Sequence, residues 1–207
     1  MTGTVGEDDV VAIVLGAGAS RRLGRPKQTL PFGDTTLLGH VLADVEASGA
    51  DRVVLVLGGA AEEVRAHLTP RRATVVDNRR YGTGCASSLL AGLDAAEPCA
   101  AIALVLGDMP GVTPPILDAV IDQWLRRRPW AAVTRYRDGI GHPLLFSAAA
   151  FGELRTRHGD KAAWKIVDRE PEDRVIRLAV DADRPLDVDT WDDYLTVCAR
   201  FAVAPHA

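Results

Sequence analysis

The chain has 207 residues, 47% of them hydrophobic and 25% charged, with a formal net charge of −4. These values exclude a disordered or fibrous chain and offer no global attraction for nucleic acid or an anionic membrane. Any anion site must therefore come from a local cluster of cations, in what reads as one domain over 1–207. The leader MTGTVGEDD (1–9) is expected to be flexible and lacks the basic start and apolar run of a signal peptide. VVAIVL (Val10–Leu15) then reads as a strand apolar on both faces.

After it comes a glycine turn. A dinucleotide fingerprint G-x-G-x-x-G starting at Gly16 puts Arg21 where its third glycine belongs. A G-x-x-x-x-G-K-[ST] loop fails too, because Gly18 and Gly24 are wrongly spaced and Lys27 is not followed by Ser or Thr. What remains is a turn of small residues bearing Ser20, Arg21, Arg22, Arg25 and Lys27, with no acid from Val10 to Gly33. Backbone N–H groups approach an anion there and the cations neutralise it, which points to a polyphosphate site rather than a merely solvated loop.

A helix follows over Leu37 to Ser48, with Leu37, Leu38, Val41, Leu42 and Val45 on one face and His40 as a surface or packing residue. A strand at Arg52–Leu57 leads into Gly58-Gly59 and a helix over Ala61–Leu68, and a third strand spans Ala73–Asp77. Beyond it, Asn78 is able to hydrogen-bond a base or ribose. Gly82-Thr83-Gly84, Ser87 and Ser88 stand where a helix over Gly84–Ala96 begins, a place that favours anions, though a plain loop and cap explain the segment equally. The strand Ala100–Leu106 ends at Gly107-Asp108. A carboxylate at that point suits Mg²⁺, with Asp187 as second ligand, and a turn cap is the alternative.

Thr113 and the prolines after it open a helix over Pro114–Arg127. WAAVTRYRDGIGHPLLF then reads as two antiparallel strands around Asp138-Gly139, at the edge of an otherwise parallel sheet. It carries His142, of the five histidines the one beside a predicted site. A helix from Ala148, a strand at Val175–Val180 and a helix from Thr190 complete the order. Asp187 and Asp189 precede that last helix, and capping explains one of them rather than both. Cys85, Cys99 and Cys198 show no metal-ligand spacing and read as core thiols of a reducing, cytoplasmic compartment. The alternation of strands and helices predicts an α/β fold in which the loops at the carboxyl ends of the strands share one functional face.

The segments LGAGASRRLGRPKQTLPFGDTTLLGHVL, NRRYGTGCASSL, LGDMPGVTPPILDAVI, GHPLLFSAAAFGEL, GDKAAWKIV and LDVDTWDDY, from Val11 to about Tyr194, resemble the MobA/MocA-like nucleotidyltransferases in order and spacing. The opening resembles that family's L-A-[AG]-G-x-S-x-R-x-G-x-x-K signature, with Gly16 where alanine is usual. The resemblance implies a Rossmann-like three-layer α/β/α fold and transfer of NMP from an NTP to a phosphorylated acceptor. Leu15, Gly16, Ala17 and Gly18 would then contact base and ribose, and Ser20, Arg21, Arg22 and Lys27 the triphosphate. Asn78, Gly82 and Ser87 would lie near the nucleotide, Asp108 and Asp187 would hold Mg²⁺, and the acceptor would lie toward His142. Lys27, Arg22 and Asp108 would be the catalytic groups. Gly16-Ala17-Gly18 shares its middle alanine with the family's cytidylyl pattern, which favours CTP over GTP. The implied acceptor is molybdopterin or another small phosphorylated molecule, with a molybdoenzyme or its chaperone as receiving partner. The reading from another class is a nucleotide-binding sensor without turnover. Neither nucleic acid nor membrane is an expected partner.

Overall fold

The computed structural model describes residues 6, 8–18, 20, 22–156, 163, 167 and 174–205. The apolar run Val10–Gly16 forms β1, buried along its whole length. Val11, Ile13 and Leu15 enter one hydrophobic cluster, while Val10, Ala12 and Val14 enter another. That alternation is what a strand covered on both faces requires.

Further strands are β2 (Pro31–Phe32), β3 (Thr35–Thr36), β4 (Arg52–Leu57), β5 (Ala73–Asp77), β6 (Ala101–Leu106), β7 (Ala131–Tyr136), β8 (Gly139–Ser147) and β9 (Val175–Ala179). Among the described residues, seven of them form one sheet in the order β5-β4-β1-β6-β8-β7-β9. β5, β4, β1 and β6 run parallel, and β8 pairs antiparallel with both β6 and β7. The hairpin turns at Asp138-Gly139, where Gly139 has φ +146°, a conformation L side chains rarely adopt. The hairpin stands one strand in from the edge. β9 adds parallel to β7, from Ala131↔Val175 to Arg135↔Ala179, and satisfies backbone groups that an outermost β7 would leave open.

The helices are α1 (Leu37–Glu46), α2 (Ala61–Ala66), α3 (Cys85–Ala96), α4 (Pro114–Arg127), α5 (Phe151–Thr156) and α6 (Trp191–Arg200). Leu89 and Leu93 of α3 and Phe151 and Leu154 of α5 pack into the first cluster. Leu38, Leu42 and Val45 of α1 and Leu117, Ile121 and Trp124 of α4 pack into the second, so the sheet lies between two helical layers. Small differences from expectation sit at helix ends. Gly84, with φ +108°, caps α3 from outside it, and Thr113 holds the cap position of α4 without a side-chain cap bond. No helix among the described residues is long and apolar enough to cross a membrane.

A third cluster positions the site. Leu23, Leu30, Phe32 and Leu37 near the start of the chain pack on Val188, Tyr194, Val197 and Cys198 near its end. Tyr194 OH donates to the Pro31 carbonyl at 2.6 Å. His40 packs here, its ring edge-on to Phe32 and Phe201 at centroid distances of 4.9 and 5.4 Å. Cys99 and Cys198 are buried, as core thiols should be, and Cys85 is half-buried.

Candidate active site

β1 delivers the glycine turn to the carboxyl end of the sheet, and close backbone approaches assemble the face around it. Gly107 N–H donates to the Leu15 carbonyl at 2.9 Å, and a Cβ on Gly107 would stand 2.6 Å from Leu38 Cδ1. A Cβ on Gly58 would stand 2.6 Å from the Ala17 carbonyl oxygen. The turns after β1, β4 and β6 thus meet at distances that leave no room for side chains.

Gln28, only 4% exposed, holds the turn from behind. Its amide Nε2 donates to the carbonyls of Gly16 at 2.9 Å and Gly18 at 2.8 Å. Ser20, at φ +46°, accepts the Lys27 backbone N–H at 2.8 Å on its hydroxyl. Together these bonds turn the Lys27 side chain inward. Lys27 is 8% exposed; its Nζ contacts Asp108 Oδ2 and lies 2.8 Å from Asp189 Oδ1. Burial pulls the ammonium pKa down, but the Asp108 and Asp189 carboxylates more than reverse this, and it stands above the ordinary lysine value. Asp189 also meets Arg22 at 2.6 Å; the Lys27 bond first, and Arg22 after it, hold its carboxyl below the ordinary range.

Asp187 stands on the same segment, which Val188 N–H fastens to the Asp108 carbonyl at 3.1 Å. Loss of hydration against the protein, and then the Asp108 charge, raise the Asp187 pKa, with Lys27 opposing. Two carboxylates crowded so that one resists ionisation form a place where added positive charge is favourable. Hard oxygen donors fit a divalent cation that also takes phosphate and water ligands. Among the described residues no group of three or more His, Cys, Asp or Glu forms a closed metal cage. Asp187 and Asp189 are both free of capping duty: Thr190 and Asp193 form the capping box of α6.

A cleft of about 640 Å³ opens beside this cluster, lined in part by Arg22, Met109, His142, Arg184, Asp187 and Asp189. His142 lies within β8 rather than after a strand. It reaches the functional face because β8 runs antiparallel and begins at the end where β6 finishes. It is 3% exposed, with Nδ1 3.1 Å from the Leu104 carbonyl, and burial depresses its pKa.

Other residues sit differently from expectation. Asn78 is 5% exposed, its amide donating to Ser87 and Ser88 at 2.8 and 3.0 Å and its carbonyl accepting from Arg80 N–H at 2.8 Å. These bonds use both amide hydrogens, so Asn78 and Ser87 brace the loop from within. Gly82 is exposed, with nothing near its missing side chain. Leu15, Gly16 and Ala17 are buried at the root of the turn, while Gly18 is exposed at its tip. Arg21 lies outside the described residues, as does GDKAAWKIV apart from Ala163 and Val167, which are buried in the first cluster. Sequence reasoning missed Gln28 and Arg184. The signals were a polar residue ahead of the apolar LPF in QTLPF and a lone cation among the acids of DADRPLDVD.

Comparison with known proteins agrees with this architecture. The solved structure of Rv0371c from Mycobacterium tuberculosis H37Rv superposes with a TM-score of 0.84 at 45% identity, covering 92% of this chain and 98% of that one. The same protein in complex with manganese gives 0.78 at 42% identity, covering 91% and 97%. Nicotine blue oxidoreductase of Paenarthrobacter nicotinovorans is 40% identical over 107 residues, 50% of this chain, and the match spans 52% of that protein, about half its length. The molybdenum cofactor cytidylyltransferase of Escherichia coli K12 is 27% identical over 91% of this chain and 95% of its own. A probable molybdenum cofactor guanylyltransferase of Pyrococcus horikoshii is 29% identical over 77% and 80%. The model of the MobA-like NTP transferase domain matches residues 12–175, from the first strand of the sheet to the start of the last, and the chain belongs to that family.

Proposed function

We propose that this protein transfers a nucleoside monophosphate from an NTP to a phosphorylated acceptor, with CTP as donor and molybdopterin as acceptor. The observation that carries this reading is Lys27, buried between Asp108 and Asp189 beside the glycine turn. An acceptor phosphate oxygen attacks the α-phosphorus, the bond from that phosphorus to the β-bridging oxygen breaks, and pyrophosphate leaves with the electron pair. Lys27 then has two roles: it holds the phosphates in line and donates hydrogen bonds to oxygens that gain charge as that bond breaks. Arg22 and the backbone of the glycine turn neutralise the rest of the triphosphate. His142, neutral and fixed on the Leu104 carbonyl, shapes the acceptor side of the cleft without exchanging a proton.

Asp108 and Asp187 are the residues that would hold a divalent ion, Mg²⁺ or the manganese found with the mycobacterial relative. Such an ion supplies charge neutralisation for the phosphoryl oxygens. The cytidylyl and guanylyl relatives both support a molybdopterin acceptor; the longer coverage of the cytidylyltransferase and the Gly16-Ala17-Gly18 turn favour CTP. The test is pyrophosphate release with each NTP in turn, with and without molybdopterin, in a divalent salt. Release with CTP only when molybdopterin is added is expected. Release with GTP alone overturns the choice of base, and tight NTP binding with no release from any pair favours a sensor. A second reading rests on the 40% match to Nicotine blue oxidoreductase. Reduction of a quinonoid dye with NADH or NADPH, with no NTP present, would replace the transferase reading by that one.

A further inference from the structure

The cleft carries two arginines, and they differ in what they already hold. Arg22 is engaged by Asp189 at 2.6 Å. Asp193 is likewise occupied, accepting the N–H groups of Asp189 and Thr190 and the Thr190 hydroxyl. Arg184 is placed by its backbone, whose N–H donates to Asp138 Oδ1 at 2.8 Å. Among the described residues its guanidinium makes no hydrogen bond and meets no carboxylate at ion-pair distance. Asp138 and Asp187 attract it without contacting it.

Its stem lies in a trough made by missing side chains. A Cβ on Gly141 would stand 2.9 Å from Arg184 Cγ, and one on Gly139 would stand 3.8 Å from Nη1. Tyr136 backs the trough, its ring 2.9 Å from the same Gly141 position and its hydroxyl 2.5 Å from the His142 carbonyl. The cleft is lined in mixed fashion, by Leu106, Met109, Ile140 and Pro185 on one hand and by His142 and the acids Asp187 and Asp189 on the other. A guanidinium whose stem is seated in this trough, with no donor used among the described residues, is built to receive two oxygens of an anion.

We propose that Arg184 grips the phosphate of the acceptor and so sets which end of that phosphate monoester enters the cleft. The proposal rests on the transferase reading above and divides the cations between two substrates, Lys27 and Arg22 for the NTP and Arg184 for the acceptor. The fork presents parallel N–H groups to two oxygens of the phosphate and leaves the third free to attack.

Two measurements test it. Phenyl phosphate titrated into the nucleotide-free protein, followed through the Gly141 amide resonance, should bind at least about fivefold more weakly to Arg184→Gln, with part of the affinity restored in Arg184→Lys. Equal binding by wild type and Arg184→Gln, or benzoate binding as tightly as phenyl phosphate, overturns the assignment. In turnover, Arg184→Gln should raise KM for molybdopterin at least about tenfold while KM for CTP stays within about twofold, as expected for a lost charge-assisted contact to one substrate. An unchanged KM for molybdopterin, or a rise confined to CTP, overturns it as well. If wild type releases no pyrophosphate, the transferase reading falls, and the phenyl phosphate titration decides the anion site by itself. Arg184 is exposed, and a thermal melt of Arg184→Gln matching wild type confirms that the variant is folded.

Discussion

Replacing Gln28 by Leu keeps the volume and removes both bonds to the glycine turn. The bond to the Gly16 carbonyl is buried, so its loss strands an acceptor away from water, at about 1–3 kcal/mol. The Gly18 carbonyl is on an exposed residue; water replaces the amide there, and the loss is about 0.5–1 kcal/mol. The sum, about 1.5–4 kcal/mol, corresponds to roughly 3–16 °C in Tm for a chain of this length. Gln28→Glu should be worse, because a carboxylate facing two carbonyls has no hydrogen to give. Urea unfolding gives the free energy, and KM for CTP shows whether the turn has lost its shape. A loss below about 1 kcal/mol in Gln28→Leu with KM unchanged would refute the claim that this amide holds the turn.

Other expectations follow from the same geometry. Lys27→Ala and Asp108→Ala should each lower turnover at least about a hundredfold in folded protein, and near-normal pyrophosphate release in either would remove that residue from the mechanism. Gly58→Ala puts a methyl 2.6 Å from the Ala17 carbonyl; unfolding titrations should show a loss of about 1–3 kcal/mol, and wild-type stability would contradict the close approach. Among the described residues the buried Ser147 hydroxyl has no partner, so Ser147→Ala should raise stability by about 1 kcal/mol, and a drop in Tm would reveal a bond to that oxygen. His142 has a folded pKa below its ordinary 6.5, so the unfolded chain takes up the proton more readily. Its contribution is complete above about pH 6.5 and is lost as pH falls toward the folded value. Between about pH 7.5 and pH 5.5, wild type should therefore lose more Tm than His142→Gln, and parallel curves would rule the effect out.

The strands of the main sheet were legible because each is a run of apolar, often β-branched residues, and in β1, β4 and β6 both faces are covered. β2 and β3 were not, since two residues each carry no period. In the site, Lys27, Arg22 and Asp108 could be found from type and position along the chain. Asp189, the second carboxylate on Lys27, could not be found that way. The sequence offered Asp187 and Asp189 as one cap and one ligand, whereas Thr190 and Asp193 cap the helix and Asp189 turns to Lys27 and Arg22. Asn78 read as a nucleotide contact because an amide after a strand suits a base; that its amide also reaches two serines nine and ten residues on was not legible. Such outcomes depend on which side chains meet across the fold, and spacing along the chain does not encode them.

The third hydrophobic cluster has a bearing on the order in which the protein matures. Lys27 and Asp189 are 162 residues apart, and the packing that joins their segments needs Tyr194, Val197 and Cys198. Closing so long a loop is among the costliest contacts in entropy, and on a ribosome its second half is made last. β1, β4, β5 and β6 can pair while synthesis continues and bring Asp108 beside Lys27, but Asp189, the second carboxylate on Lys27, is not yet present. A nascent chain stalled before Asp187 would therefore carry the glycine turn, Lys27 and Asp108 but neither Asp187 nor Asp189, and the full set of carboxylates around Lys27 would assemble only once the terminal segment docks.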